Sequence, residues 1–208
     1  MYDAPPMPIT RKELVTYVSL GLFAGAAYFI TSHLVRQPED VRMPAWVPFL
    51  PILTVPYLLQ VVASYVLAMF IADRTRRHAV FKAYFLSLAV VFAVWIAHPT
   101  RMRRPPAPTE WWNWPYAVMA RADLPLHIWP AGHILMPVLL IWAVAHDRRQ
   151  WLWWLVPAEL LGTIGIASTW QHRPIDIALG ATLAAAAGVL FGVGRPAADA
   201  LFAAGSHR

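Results

Sequence analysis

The chain has 208 residues, of which 59% are hydrophobic and only 13% charged, with a mean hydropathy of +0.48. A soluble domain carries about a quarter charged residues, so this composition excludes an ordinary soluble enzyme and describes an integral membrane protein of one domain. The lack of cysteine excludes disulfides and thiolate metal sites, and the net charge of +6 is read as contact with lipid head groups and as a topology signal, not as nucleic-acid binding.

Residues 1–12 are expected to form a tail; Met1 to Thr10 is Pro-rich and lacks the basic segment of a cleaved leader. A single membrane domain, 13–194, follows, and 195–208 form a small, Ala-rich C-terminal tail. The apolar runs predict six transmembrane helices in an all-α fold: about Glu13 to Leu34, Phe49 to Ala72, Ala79 to Ala97, Gly132 to Ala145, Trp151 to Ser168 and Pro174 to Val193. Pro51 and Pro56 should kink the start of the second span. Asp73 to His78 and His146 to Arg149 read as turns, and 98–131 as the longest polar connection. Within it, Trp111-Trp112-Asn113-Trp114 suits the membrane interface.

Six spans put both termini on one side. The 17 Lys and Arg then divide ten to seven in favour of that side, which the positive-inside rule makes cytoplasmic. The expected setting is a bacterial inner membrane, with an active site at the outer face, towards the periplasm or exterior. Three polar clusters share that face: Arg101-Met102-Arg103-Arg104-Pro105, Asp123 to His133, and Ser168 to Gly180. Guanidinium groups bind phosphate in bidentate fashion. The turn Pro130-Ala131-Gly132-His133 offers a histidine and backbone N–H groups. Pro174 suits the first position of a helix, with His172 at its mouth and Asp176 four residues on. A histidine, a helix N-terminus and a carboxylate suit phosphate chemistry.

These residues resemble the type 2 phosphatidic acid phosphatase superfamily, which includes membrane lipid phosphatases and the sphingomyelin and inositol-phosphorylceramide synthases. The likeness runs from about Pro48 to Gly180. Val47-Pro48-Phe49-Leu50-Pro51 with Pro56-Tyr57 resembles the Pro-rich second span of the synthase-like branch, and His98-Pro99-Thr100 to Arg104-Pro105 resembles its Phe-Pro-Thr…Arg-Pro segment. Trp129-Pro130-Ala131-Gly132-His133 resembles Phe-Pro-Ser-Gly-His, with Asp123 and Pro125 matching an upstream Asp-x-Pro. Gln171-His172…Asp176…Gly180 resembles His-x3-Asp followed by Gly. The chain departs from the phosphatase pattern at Ala131, where a serine is usual, and at His127, where Asn is common. It departs again at Ile166, which replaces an arginine, and at Ala97, which replaces a lysine. These losses lean towards the synthase-like branch.

The resemblance implies a phosphohistidine mechanism on a lipid phosphate or phospholipid. His172 is the nucleophile, Asp176 orients it, and His133 is the acid and then the base. Arg104, with Arg101 or Arg103, and Gly132 hold the phosphoryl group; His127 and Arg173 are possible substrate contacts. The acceptor is water in a phosphatase and an alcohol in a transferase; no cofactor or metal is implied. Two other readings stay open: a catalytically inactive lipid-binding or transport protein of the same fold, and a metal- or haem-binding protein using His127, His133 and His172.

Overall fold

The computed structural model describes residues 8–34 and 37–195, so most of both expected tails lies outside the described residues. Seven helices form among them: α1 (Arg11–Leu34), α2 (Thr54–Ala68), α3 (Arg74–Ala97), α4 (Trp114–Ala122), α5 (Leu135–Asp147), α6 (Leu152–Ser168) and α7 (Pro174–Phe191). Short 3₁₀ turns at Pro51–Leu53, Gly132–Ile134 and Arg149–Trp151 lead into α2, α5 and α6. Five helical stretches are long and apolar enough to cross a membrane: Arg11–Leu34, Pro51–Ala68, Arg74–Ala97, Arg149–Ser168 and Pro174–Phe191. The stretch expected as the fourth span, about Gly132 to Ala145, falls in Gly132–Asp147, which is apolar but shorter. Its helix α5 is the core of the bundle, packed against α2, α3, α6 and α7, with Leu135, Leu139, Leu140 and Ala143 all buried. On the outside of the bundle the apolar side chains face outward; Leu22 and Phe23 of α1 are 71% and 72% exposed, the reverse of a soluble fold.

Sequence chemistry fixes the ends of these helices. Thr10 and Glu13 form a capping box: Glu13 N–H donates to Thr10 Oγ1 (3.2 Å) and Thr10 N–H to Glu13 Oε2 (2.9 Å). Helix α3 starts five residues before the expected Ala79, because Asp73 caps it by accepting from Arg76 N–H (3.0 Å). The segment 73–78 is therefore mostly the first turns of a helix, not a basic loop. Its charges are met by other helices. Glu13 Oε1 gathers Arg74 (2.9 Å), Arg77 (3.4 Å) and His78 (2.7 Å), and Arg76 pairs with Asp147 (3.3 Å) at the end of α5.

Close helix approach depends on glycine between α2 and α6. A Cβ at Gly162 would lie 2.5 Å from Gln60, and one at Gly165 would lie 2.6 Å from the Leu53 carbonyl. This closeness lets Gln60 Nε2 donate to the Glu159 backbone carbonyl (2.8 Å) and Ser64 Oγ to Glu159 Oε1 (2.8 Å), so one oxygen of a carboxyl group inside the bundle finds a partner.

The fold is not wholly α. Glu39–Val41 (β1) pairs in parallel with Thr100–Met102 (β2) in the register Glu39–Thr100, Asp40–Arg101 and Val41–Met102. The long connection also contains α4, which was not expected from the sequence; Trp111, Trp112 and Trp114 at its start are exposed, as an interfacial segment requires.

Candidate active site

Strand β2 brings the three polar clusters together. On its other side it meets the stretch before α5: His127 N–H donates to the Thr100 carbonyl (3.0 Å), Ile128 N–H to Thr100 Oγ1 (3.1 Å) and Met102 N–H to the Pro125 carbonyl (3.0 Å). The loop is then stitched to α7 by Ala131 N–H and the Asp176 carbonyl (3.0 Å). Gly180 permits that approach, since a Cβ there would lie 2.3 Å from the Ala131 carbonyl oxygen.

At this junction His172 and His133 are in direct contact. His172 Nε2 lies 3.0 Å from His133 Nδ1, His133 Nε2 lies 3.3 Å from the Tyr57 hydroxyl, and His172 Nδ1 bonds the Ile128 carbonyl oxygen. The tautomers follow from the end of this chain. A carbonyl only accepts, so His172 carries its proton on Nδ1 and Nε2 presents a lone pair. His133 then donates from Nδ1, its Nε2 accepts, and Tyr57 O–H donates to it. Burial pushes the His172 pKa down to about 4; the Ile128 carbonyl and Asp123 act upward, and the guanidinium groups of Arg104 and Arg173 downward. His172 is therefore neutral near pH 7.

Arg104 and Asp123 form the charged part of the site. Arg104 Nη2 donates to Asp123 Oδ2 (2.8 Å), Nη1 to its carbonyl (2.9 Å), and the other carboxylate oxygen accepts from Tyr28 O–H of α1. Arg104 Nε is buried with no partner among the described residues. This donor is held in place and unused. His127 is buried as well, in the left-handed region at φ 63°, a costly conformation for a side chain with a Cβ. It stacks on Trp95 (4.8 Å between centroids) with Tyr28 edge-on at 5.8 Å. Both its ring nitrogens lack partners among the described residues. Burial holds its pKa down, at about 4, against the upward pull of Asp123.

Two expected contacts are replaced. Asp176 does not reach His172. Its carboxylate accepts from Arg173 N–H (2.8 Å), Nε (2.9 Å) and Nη2 (2.8 Å), closing the first turn of α7. The four-residue spacing would align the two side chains only inside a helix, and His172 precedes the Arg173 N-cap. The Ile128 carbonyl takes the orienting role, and Arg173 is committed to Asp176. Arg101 and Arg103 do not converge on the histidines either. Thr100 and Met102 of β2 point inward and are buried. Alternation sends Arg101 outward to Asp40 (2.8 Å), and Arg103 lies with Asp40, Arg42 and Trp170 on the surface. Arg104 is the arginine of that cluster that turns in.

Tyr57, Tyr28 and Asp123 complete the site without a motif that gives them a role, although Pro56-Tyr57 and Asp123 stand in the segments that carry the family resemblance. Ile166, at the place of the missing arginine, is fully buried in an apolar cluster with Tyr57, Tyr116 and Met119. Gly132 lines the floor of an apolar cavity of about 470 Å³ between α1, α2 and α3, which ends at Tyr28, Trp95 and His133. Among the described residues no three His, Asp or Glu side chains converge as metal ligands. Comparison with protein-family models, with curated proteins and with solved structures gave no match.

Proposed function

We propose that the protein is an integral membrane lipid phosphatase or phospho-head-group transferase that works through a phosphohistidine on His172. The observation that carries this reading is the directed chain from Tyr57 through His133 and His172 to the Ile128 carbonyl. It leaves one imidazole lone pair facing one N–H donor, beside an arginine with an unused donor. Such a pair suits attack on phosphorus and protonation of a leaving oxygen.

In the free protein the two rings bond each other, so a phosphoryl group must separate them. His172 Nε2 then forms the N–P bond as the bond from phosphorus to the leaving oxygen breaks. His133 takes up a proton on Nε2 from solvent as the substrate binds and then gives its Nδ1 proton to that oxygen, while the Tyr57 hydroxyl turns to accept from Nε2–H. Arg104 neutralises the phosphoryl oxygens through Nε and, by exchange with Asp123, its terminal nitrogens. In the second half His133 takes a proton from water or an alcohol, which attacks phosphorus and releases His172. The apolar cavity ending at His133 is suited to an acyl or prenyl chain; His127, buried behind Trp95 and Tyr28 of its wall, would meet a head group only if those rings moved.

The topology that fits has six crossings, with Gly132–Asp147 as the short, central one. At about 24 Å it is less than the roughly 30 Å of hydrocarbon, but its burial among other helices spares it contact with lipid. Both termini then face the cytoplasm and the histidines face the periplasm or exterior, in a bacterial inner membrane. A second reading, a lipid-binding or transport protein without catalysis, draws on the apolar wall at Ile166. The experiment offers purified protein phosphatidic acid, prenyl diphosphate and phospholipids, with water or labelled alcohols as acceptors. Phosphate release or head-group transfer that disappears in His172→Ala supports the enzyme. No turnover, with lipid binding unaffected by that variant, supports the second reading.

A further inference from the structure

At the far end of α3 from the histidines, Arg74, His78 and Lys82 recur at four-residue intervals and so lie on one helix face. The 24 residues of α3 span roughly 36 Å, which puts this stripe and the active site at opposite ends of the bundle. With Thr75 and Ala79 the stripe lines a pocket of about 370 Å³, which Phe191 closes at the end of α7. Arg74 and His78 are half-exposed and share one carboxylate, Glu13, which Arg77 also contacts, so the carboxylate is outnumbered. Lys82 is exposed and has no hydrogen-bond or ion-pair partner among the described residues. It lies roughly 12 Å along a membrane-length helix from Arg74. A lysine at that depth on a lipid-facing surface is costly unless its stem runs back to an anion at the interface.

We propose that this pocket binds one anionic phospholipid, with the phosphodiester between Lys82 and Arg74, the Thr75 hydroxyl as a further donor and an acyl chain along Phe191. The occupant is argued from charge and from shape together. The cations surround a pocket whose remaining walls, Ala79 and Phe191, are apolar, and one molecule that carries both a phosphate and a chain satisfies both. The site is separate from the phosphoryl-transfer centre and does not depend on that reading.

The full chain in mild detergent is titrated with short-chain phosphatidylglycerol, and bound adducts are counted by native mass spectrometry. Short-chain phosphatidylcholine and inorganic phosphate form the comparison arms. Lys82→Gln should weaken the tightest phosphatidylglycerol adduct about fivefold, the worth of one cation at a lipid surface, and Lys82→Arg should restore it. Arg11→Gln, an exposed basic residue at the same end but outside the pocket, should leave it unchanged. The proposal is overturned if Lys82→Gln has no effect, or if Arg11→Gln weakens binding as much. It is also overturned if inorganic phosphate displaces the lipid at equal concentration, which would mark a site for a soluble anion, or if phosphatidylcholine binds as well.

Discussion

The two ends of the bundle pair their buried acids and bases differently. At the end near Glu13, acid and base are matched: one carboxylate serves Arg74, Arg77 and His78, Asp147 binds Arg76 and the Ala72 and Asp73 N–H groups, and Asp73 caps α3. At the end near His172, buried groups are held in place but left with capacity to spare. Arg104 Nε and both nitrogens of His127 lack partners among the described residues, and the two catalytic candidates bond each other. A matched cluster serves the fold, because each partner exists to offset the burial of another. Tyr17 Oη, Ser87 Oγ and Glu159 Oε2 are also unpartnered among the described residues, so it is the gathering of such groups beside two bonded histidines that marks this end as open to a ligand.

Substitutions should separate the two ends. His172→Ala should lower turnover at least about 10³-fold, as expected for loss of a nucleophile, while the melting temperature stays near that of the wild type. His133→Ala should cost about 10² to 10⁴-fold. Arg104→Gln should lower kcat by about 10² to 10³-fold, the usual cost of losing one group that stabilises a developing oxyanion. Glu13→Gln is the converse: stability should fall by about 2–3 kcal/mol, measured by denaturation in detergent, with kcat per folded molecule unchanged. A large kcat loss in Glu13→Gln would break the comparison.

Asp176→Asn sharpens it further. As the N3 carboxylate that accepts from the Arg173 N–H at the start of α7, it should cost about 1 kcal/mol of stability and less than about tenfold in kcat, because the Ile128 carbonyl orients His172. An orienting partner of His172 would cost far more in kcat than in stability. The smallest effect is in the pH profile. A histidine acts as a nucleophile only when neutral, and burial lowers the His172 pKa from its ordinary 6.5 to about 4. Activity should therefore hold as pH falls through 6.5 and decline only near 4. An acid limb near 6.5 would mean that the ring is not desolvated in the working protein.

The long helices were legible because each apolar run carries its own signal. The start of α3 was not, since Arg74 to His78 look like a solvated turn until Glu13 and Asp147, on other helices, supply their partners. The ladder of β1 and β2 was hidden because three-residue strands carry almost no alternation and their pairing joins distant segments. Within the site, the two histidines could be found from the Pro-led helix starts and the family-like motifs. The partner of His172 could not, because it is a backbone carbonyl, and a carbonyl leaves no mark on residue identity. The choice of Arg104 over Arg101 and Arg103 was in principle readable: once β2 is known, alternation points Thr100, Met102 and Arg104 inward. Tyr57 had no local signal beyond Pro56-Tyr57, since its role depends on the packing of α2 against the turn before α5.

The central claim is that phosphorus is bonded to His172 during turnover. Protein mixed with a lipid substrate labelled in its phosphate, and quenched in alkali where phosphohistidine survives, should yield one labelled peptide. The label should lie on His172 and be absent from His172→Ala. Turnover with no labelled protein, or a label on His133 or any other residue, would contradict the account.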